Sequence, residues 1–206
     1  MFGRNDAPSR FTVWKKSSMS FQGTDGFTVF DHRGRLVFRV DNYSRNNQLS
    51  DGAGLVLMDG VGNPLLVLRP RGFSIQCRWD AYRGDYGVLF TMRRRMRPLL
   101  SRNDKDERVE VFLHGSSRGS DHAATPDFVV EGSFARRNCI VRRNGDGAVV
   151  VARIMRKRAK ATPTVVLGDD VFSLVVQPGF DPELAMGFVV VLDRICRKPS
   201  APILCS

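Results

Sequence analysis

The stretch Asp181-Pro182-Glu183-Leu184-Ala185-Met186-Gly187-Phe188-Val189-Val190-Val191-Leu192-Asp193-Arg194-Ile195-Cys196 decides how the rest of the chain is read. It opens as a helix opens: Asp as N-cap, Pro at the first helical position, Glu in the first turn. From Leu184 to Leu192 there is then no charged residue and no polar face. A helix that is apolar all round sits inside a large core or crosses a membrane. Crossing takes about 20 apolar residues, and this run ends at Asp193. The β-branched triplet Val189-Val190-Val191 pulls mildly toward strand, but the start signal and the missing alternation favour helix. The remainder of the chain must therefore wrap a buried helix.

What surrounds it reads as strand. Three hairpin-like units recur: Phe27 to Phe30 with Leu36 to Val40, Leu55 to Met58 with Leu65 to Arg69, and Cys139 to Arg142 with Ala148 to Met155. Each pair is joined by a turn rich in Gly, Asp or Asn, residues that tolerate positive φ. Further strand candidates are Phe11 to Lys16, Gly72 to Trp79, Gly87 to Arg94, Arg108 to His114 and Phe128 to Phe134. The last, Val165 to Gln177, is expected to break at Gly168-Asp169-Asp170. Apolar and polar residues alternate along them: Leu36, Phe38 and Val40 against Arg39 and Asp41, and Val109, Val111 and Leu113 against Arg108, Glu110 and His114. One apolar and one wet face per strand suits a closed antiparallel barrel. About twelve strands leave an interior too wide for side chains alone to fill, so the apolar helix is the plug. The expected fold is mainly β: a closed antiparallel barrel of about twelve strands around a central C-terminal helix. One domain spans residues 11–197, with tails at 1–10 and 198–206.

The charge is lopsided. Among 206 residues, 32 Lys and Arg against 21 Asp and Glu give a net charge of +11, which favours acidic partners without choosing among them. The N-terminus carries no hydrophobic signal core and Phe2 no myristoylation site, so a cytoplasmic protein is expected. Cys77, Cys139, Cys196 and Cys205 lack metal or redox spacing and read as reduced thiols.

Several ordered motifs resemble those of one family. Phe11-Thr12-Val13-Trp14-Lys15-Lys16-Ser17, the run from Gly26 to Tyr43, the run from Leu55 to Arg69, Arg78-Trp79 with Tyr82-Arg83-Gly84, and the run from Leu174 to Ile195 are similar to the plant LURP-one-related proteins. The resemblance covers residues 11 to 197. It implies the fold of tubby C-terminal domains and phospholipid scramblases, a twelve-stranded barrel closed around a hydrophobic C-terminal helix. It also implies phosphoinositide binding or reversible membrane tethering, a transcriptional role, and a link to plant defence. None of tubby's lipid-binding residues can be placed here, and fold likeness alone does not carry function.

Basic clusters are the strongest functional signal. Between residues 136 and 160 stand Arg136, Arg137, Arg142, Arg143, Arg153, Arg156, Lys157, Arg158 and Lys160 against the single acid Asp146, nine minus one, a surplus of eight. Arg93, Arg94 and Arg95, with Arg97, form a second run. An anionic leaflet attracts basic residues by about 1 kcal/mol each, so four reaching one surface give about 4 kcal/mol. That corresponds to about millimolar affinity. The competing reading is a solvated surface that keeps the barrel soluble and blunts strand edges. Arg156-Lys157-Arg158-Ala159-Lys160 also passes as a nuclear-localisation run, but without exposed aromatics for stacking, nucleic-acid binding is disfavoured.

Catalytic and metal readings fare worse. Gly115-Ser116-Ser117-Arg118-Gly119 fits the nucleophile-elbow spacing, yet no helical pattern follows it and no parallel sheet is in sight. His32, His114 and His122 have no ligand-spaced partners, Asp169-Asp170 lacks the calcium-loop spacing, and no phosphate-binding glycine loop occurs. Trp79 and Tyr82, beside Arg78 and Arg83, are expected to pack at a barrel end. The expectation is a monomeric, non-enzymatic binding module with no cofactor or metal. It would bind phosphoinositides or an anionic membrane surface, peripheral to the plasma membrane and with nuclear entry open. The alternative is a protein–protein adaptor or a transcriptional regulator without lipid binding.

Overall fold

A computed structural model describes residues 7–16, 26–42, 54–71, 77–84, 87–94, 107–114, 125–145, 147–158 and 167–196. Twelve strands precede one helix: β1 (Ser9–Lys16), β2 (Gly26–Phe30), β3 (Leu36–Asn42), β4 (Leu55–Asp59), β5 (Pro64–Pro70), β6 (Arg78–Tyr82), β7 (Val88–Arg94), β8 (Glu107–Leu113), β9 (Phe128–Ser133), β10 (Asn138–Arg143), β11 (Val150–Arg156), β12 (Val171–Val176) and α1 (Pro182–Ile195). Every strand pairs antiparallel with its sequence neighbour, and β1 pairs with β12 to close the barrel. Closure removes the free edges that would otherwise invite aggregation. Ser9 and Arg10, expected in a tail, belong to β1, where Arg10 lies opposite Val175.

The alternation read from the sequence decides what faces inward. Val13, Val29, Val40, Leu57, Leu68, Ala81, Met92, Val111, Val130, Val141, Ile154 and Leu174 are each no more than 2% exposed, one from every strand. In β2–β3 and β4–β5, an aspartate organises the turn. Asp31 Oδ1 accepts from the backbone N–H of Arg33 at 2.8 Å and of Arg35 at 2.9 Å. Asp59 Oδ1 accepts from those of Val61, Gly62 and Asn63 at 2.9, 2.7 and 2.8 Å. Hydrogen bonds to the ionised form favour it. The Arg35 backbone N–H, followed by its guanidinium, thus holds the Asp31 carboxyl down at about 2.

One strand departs from expectation. Gly72 to Trp79 was the predicted range, whereas the strand runs from Arg78 to Tyr82; residues 72–76 lie outside the described set. Asp80 in mid-strand disguised it, since aspartate is depleted in strands. Here it faces outward opposite Thr91 while Trp79 and Ala81 face in, opposite Met92 and Phe90. Of the range Val165 to Gln177, the strand β12 and the turn before it at Asp169-Asp170 are present, and residues 165–166 lie outside the described set.

The helix fills the barrel. Asp181 caps it by accepting from the Glu183 backbone N–H at 2.8 Å, and every residue from Ala185 to Asp193 is buried. Burial on all sides outweighs the few tenths of a kcal/mol that each valine costs in helix propensity. Around its first turns, Phe188 meets Phe90 edge-on at 5.0 Å and packs against Phe128 and Phe180 at 5.8 and 6.2 Å. The helix touches β5, β6 and β7 most closely, and Gly187 permits it. A Cβ there would stand 3.0 Å from Leu66 Cδ1 and 3.3 Å from Phe90 Cζ, both of them buried. Gly187→Val is expected to cost about 1–3 kcal/mol by overpacking, read as a lowered midpoint in urea denaturation. An unchanged midpoint would show that the wall of the barrel yields at that point.

Candidate basic face

Barrel closure does to the charges what the linear sequence does not reveal. The four contiguous strands β10, β11, β12 and β1 read NCIVRR, VVARIMR, VFSLVV and SRFTVWKK. None contains an aspartate or glutamate, whereas Asp41, Asp59, Asp80, Glu107, Glu110 and Glu131 all lie in other strands. One third of the wall is therefore free of acidic residues. Its outward positions follow the register: Ile140, Arg153, Val175 and Arg10 in one row, and Asn138, Met155, Ser173 and Thr12 in the next. Lys157 Nζ donates to Thr12 Oγ1 at 2.7 Å, tying the end of β11 to β1 across β12.

The basic residues singled out from the sequence have different fates here. Arg153 and Arg158 are exposed on or beside β11, and Arg136 and Arg143 are exposed at the two ends of β10. None of these four, nor Arg10, has an acidic partner among the described residues. Arg143 instead lies 5.6 Å over the Phe128 ring. Arg142 is paired with Glu131 at 3.4 Å, and Arg156 with Asp169 at 3.2 Å while its Nε donates to the Arg136 carbonyl. Such half-exposed pairs contribute little to stability, but they neutralise charge. Lys160 and Arg95 lie outside the described residues.

Arg137 is not on the surface at all. It is 5% exposed, with its guanidinium 4.3 Å over the Phe134 ring and 4.4 Å over that of Phe172. Its Nε donates to the Asp169 carbonyl at 2.8 Å. Burial pulls its pKa below the usual arginine value, opposed chiefly by the charge of Asp193. The cause is local: Arg137 has φ +50° in the β9–β10 turn, a left-handed conformation rare outside glycine. Composition could not reveal it.

Arg93 and Arg94 are also separated from the face, because β7 stands diametrically opposite β1 in the barrel order. Arg93 is held by Glu110, its Nε and one terminal nitrogen both 3.0 Å from Oε2, with Phe112 beneath it at 4.6 Å. Next to this pair is a polar cluster not anticipated from the sequence. Thr91 Oγ1 donates to Asp80 Oδ1 at 2.6 Å and stands 2.8 Å from His114 Nε2, while Arg71 and Arg78 approach Asp80 at 3.8 and 3.6 Å. Asp80 and Thr91 are buried, and over strands β3 to β9 the six arginines Arg39, Arg69, Arg78, Arg93, Arg94 and Arg108 are balanced by the six acids named above. That side of the barrel is charge-compensated, unlike the opposite one. The elbow-like run Gly115 to Gly119 lies outside the described residues. Arg83 reaches the helix start, 3.2 Å from both Asp181 and Glu183. Among the described residues, no group of three His, Cys, Asp or Glu side chains is placed to hold a metal ion, and no helix is long and apolar enough to cross a membrane.

Comparison with known proteins agrees with this architecture. Protein LURP-one-related 5 of Arabidopsis thaliana is 42% identical over 185 residues, covering 88% of this chain and 80% of that protein. LURP-one-related 12 of the same plant is 34% identical, covering 87% and 75%. A crystal structure of another Arabidopsis thaliana protein superposes with a TM-score of 0.60 at 26% identity, over 93% of each chain. The profile of the LURP-one-related family matches residues 9–193, from the first residue of β1 into the last turn of α1, and the chain belongs to that family.

Proposed function

We propose that the protein is a non-enzymatic binding module whose β10–β11–β12–β1 face docks onto anionic phospholipid headgroups, phosphoinositides included, as a peripheral attachment to the cytoplasmic leaflet. The observation that carries this reading is the segregation of charge: four adjacent strands without an acid, bearing exposed arginines that lack acidic partners among the described residues, opposite a wall whose charges cancel. A solvated surface kept basic only for solubility would gain from interspersed signs. It has no need of an acid-free third.

Co-sedimentation with vesicles tests it. The protein is expected to pellet with phosphatidylcholine vesicles containing phosphatidylserine or phosphoinositides, not with phosphatidylcholine alone, and to be released by salt. Arg10→Glu, Arg153→Glu and Arg158→Glu together remove three attractions of about 1 kcal/mol each and add three repulsions, enough to weaken binding by more than about a hundredfold. These three sites carry no ion pair among the described residues, so the barrel is expected to stay folded. Equal pelleting of wild type and triple variant would sink the proposal, as would a wild type that stays in the supernatant.

A further inference from the structure

The same face carries apolar side chains where a purely electrostatic surface has no use for them. Among the described residues the exposed large hydrophobics are Trp14, Leu36, Val61, Val149 and Met155. Val61 and Val149 lie outside the strands, and Leu36 is the first residue of β3. Trp14 and Met155 are different: both sit within strands of the acid-free face, 53% and 46% exposed. Trp14 is held between Thr28 of β2 and Val171 of β12, and Met155 between Asn138 and Ser173. Thr12, which accepts from Lys157, lies two residues before Trp14 and so on the same side of β1. Val175, flanked by Arg153 and Arg10, has the same outward parity but is covered, 5% exposed.

We infer that Trp14, with Met155 two strands away on the same wall, inserts into the headgroup layer of an anionic membrane while the surrounding cations hold phosphates. The inference rests on the docking proposed above and names the residues that convert a weak electrostatic contact into attachment. Indole combines a large apolar ring with an N–H that stays wet, which is why it is enriched at membrane–water boundaries. Apolar insertion and electrostatic attraction to anionic lipid add in interfacial binding. A second copy of this chain is a poor occupant, because two faces of the same sign repel. The outer wall of a closed barrel is also convex, so a rigid protein partner would need a matching concavity, whereas a headgroup layer deforms.

A half-exposed tryptophan has on the order of 100 Å² of ring surface left to remove from water. Its loss is therefore expected to weaken binding by about tenfold or more. Trp14→Ala should lower the affinity for phosphatidylserine-containing vesicles by that factor and leave the salt dependence unchanged, whereas the arginine variants flatten it. Trp14 fluorescence, isolated as the difference between wild type and Trp14→Phe, should shift to the blue on these vesicles and be quenched by brominated lipid. Because Trp14 is exposed, both variants are expected to fold, checked by circular dichroism. Sedimentation of wild type with no blue shift and no loss in Trp14→Ala would overturn the insertion and leave the electrostatic docking standing. Failure of wild type to sediment at all would overturn both. An equal loss of affinity for a soluble acidic polypeptide would assign Trp14 to a protein contact and overturn the membrane inference.

Discussion

Val190→Asp unfolds the protein. Val190 is completely buried, midway along a helix that the barrel surrounds on every side, so an aspartate there has no route to water. Arg194 lies one turn along the helix, at the i+4 spacing that permits pairing, but it is already engaged. Moving a carboxylate out of water costs several kcal/mol even after relaxation, and the side chain also loses the packing of two methyl groups. Domains of this size are stable by about 5–15 kcal/mol in total, so the substitution removes most or all of that margin. Val190→Ala separates this effect from simple cavity formation: it should cost about 2 kcal/mol and leave a cooperative fold. Circular dichroism and urea titration of the purified variants read both. If α1 were instead an element that anchors the protein to a bilayer, Val190→Asp would release it from membranes as a folded molecule. A soluble Val190→Asp variant with a wild-type denaturation midpoint would therefore reverse the assignment of the helix as scaffold.

That helix is also where the sequence was most legible. Its capping residues, its length and its lack of a polar face are local properties, and local properties survive translation into three dimensions. The same holds for the alternation in β3 and β8, where Phe38 and Val40, and Val109 and Val111, take the buried face, although Leu36 at the first position of β3 is left exposed at the barrel end. Two things were not local. The pairing of β1 with β12 joins Ser9–Trp14 to Val171–Val176 across the whole chain, and periodicity states which face of a strand is buried, never which strand lies beside it. The acid-free wall exists only because of that pairing. Arg137 failed for the opposite reason, since a single left-handed residue turns its side chain inward within a run of arginines that otherwise face solvent. Trp14 is legible too: Thr12 and Trp14 alternate with Phe11, Val13 and Lys15, which puts the tryptophan on the polar side of its strand.

Lys15 itself leads to the second large effect. It has inward parity in β1, and its Nζ lies 2.8 Å from Asp193 Oδ1, the two side chains being 17% and 4% exposed. Asp193 occupies the last turn of α1, where the helix dipole disfavours a carboxylate by up to about 1 kcal/mol, and it is buried as well. Two unfavourable placements persist because the strand supplies a cation at contact distance. Asp193→Ala leaves the ammonium of Lys15 half-desolvated, and also deprives the buried Arg137 guanidinium of the charge that chiefly opposes its desolvation. Breaking one side of a buried pair costs about 3–5 kcal/mol, so Asp193→Ala and Lys15→Ala are each expected to lower stability by that order. The double variant Lys15→Met/Asp193→Leu removes both charges while keeping volume. It should recover the part of the loss that comes from the stranded Lys15 ammonium, because apolar replacement of a buried pair is often neutral or better, while the part borne by Arg137 remains. A double-mutant cycle in urea denaturation measures the coupling. Single variants that each lose less than about 1 kcal/mol would mean that water reaches the pair, and that the barrel end nearest the basic face is open rather than sealed.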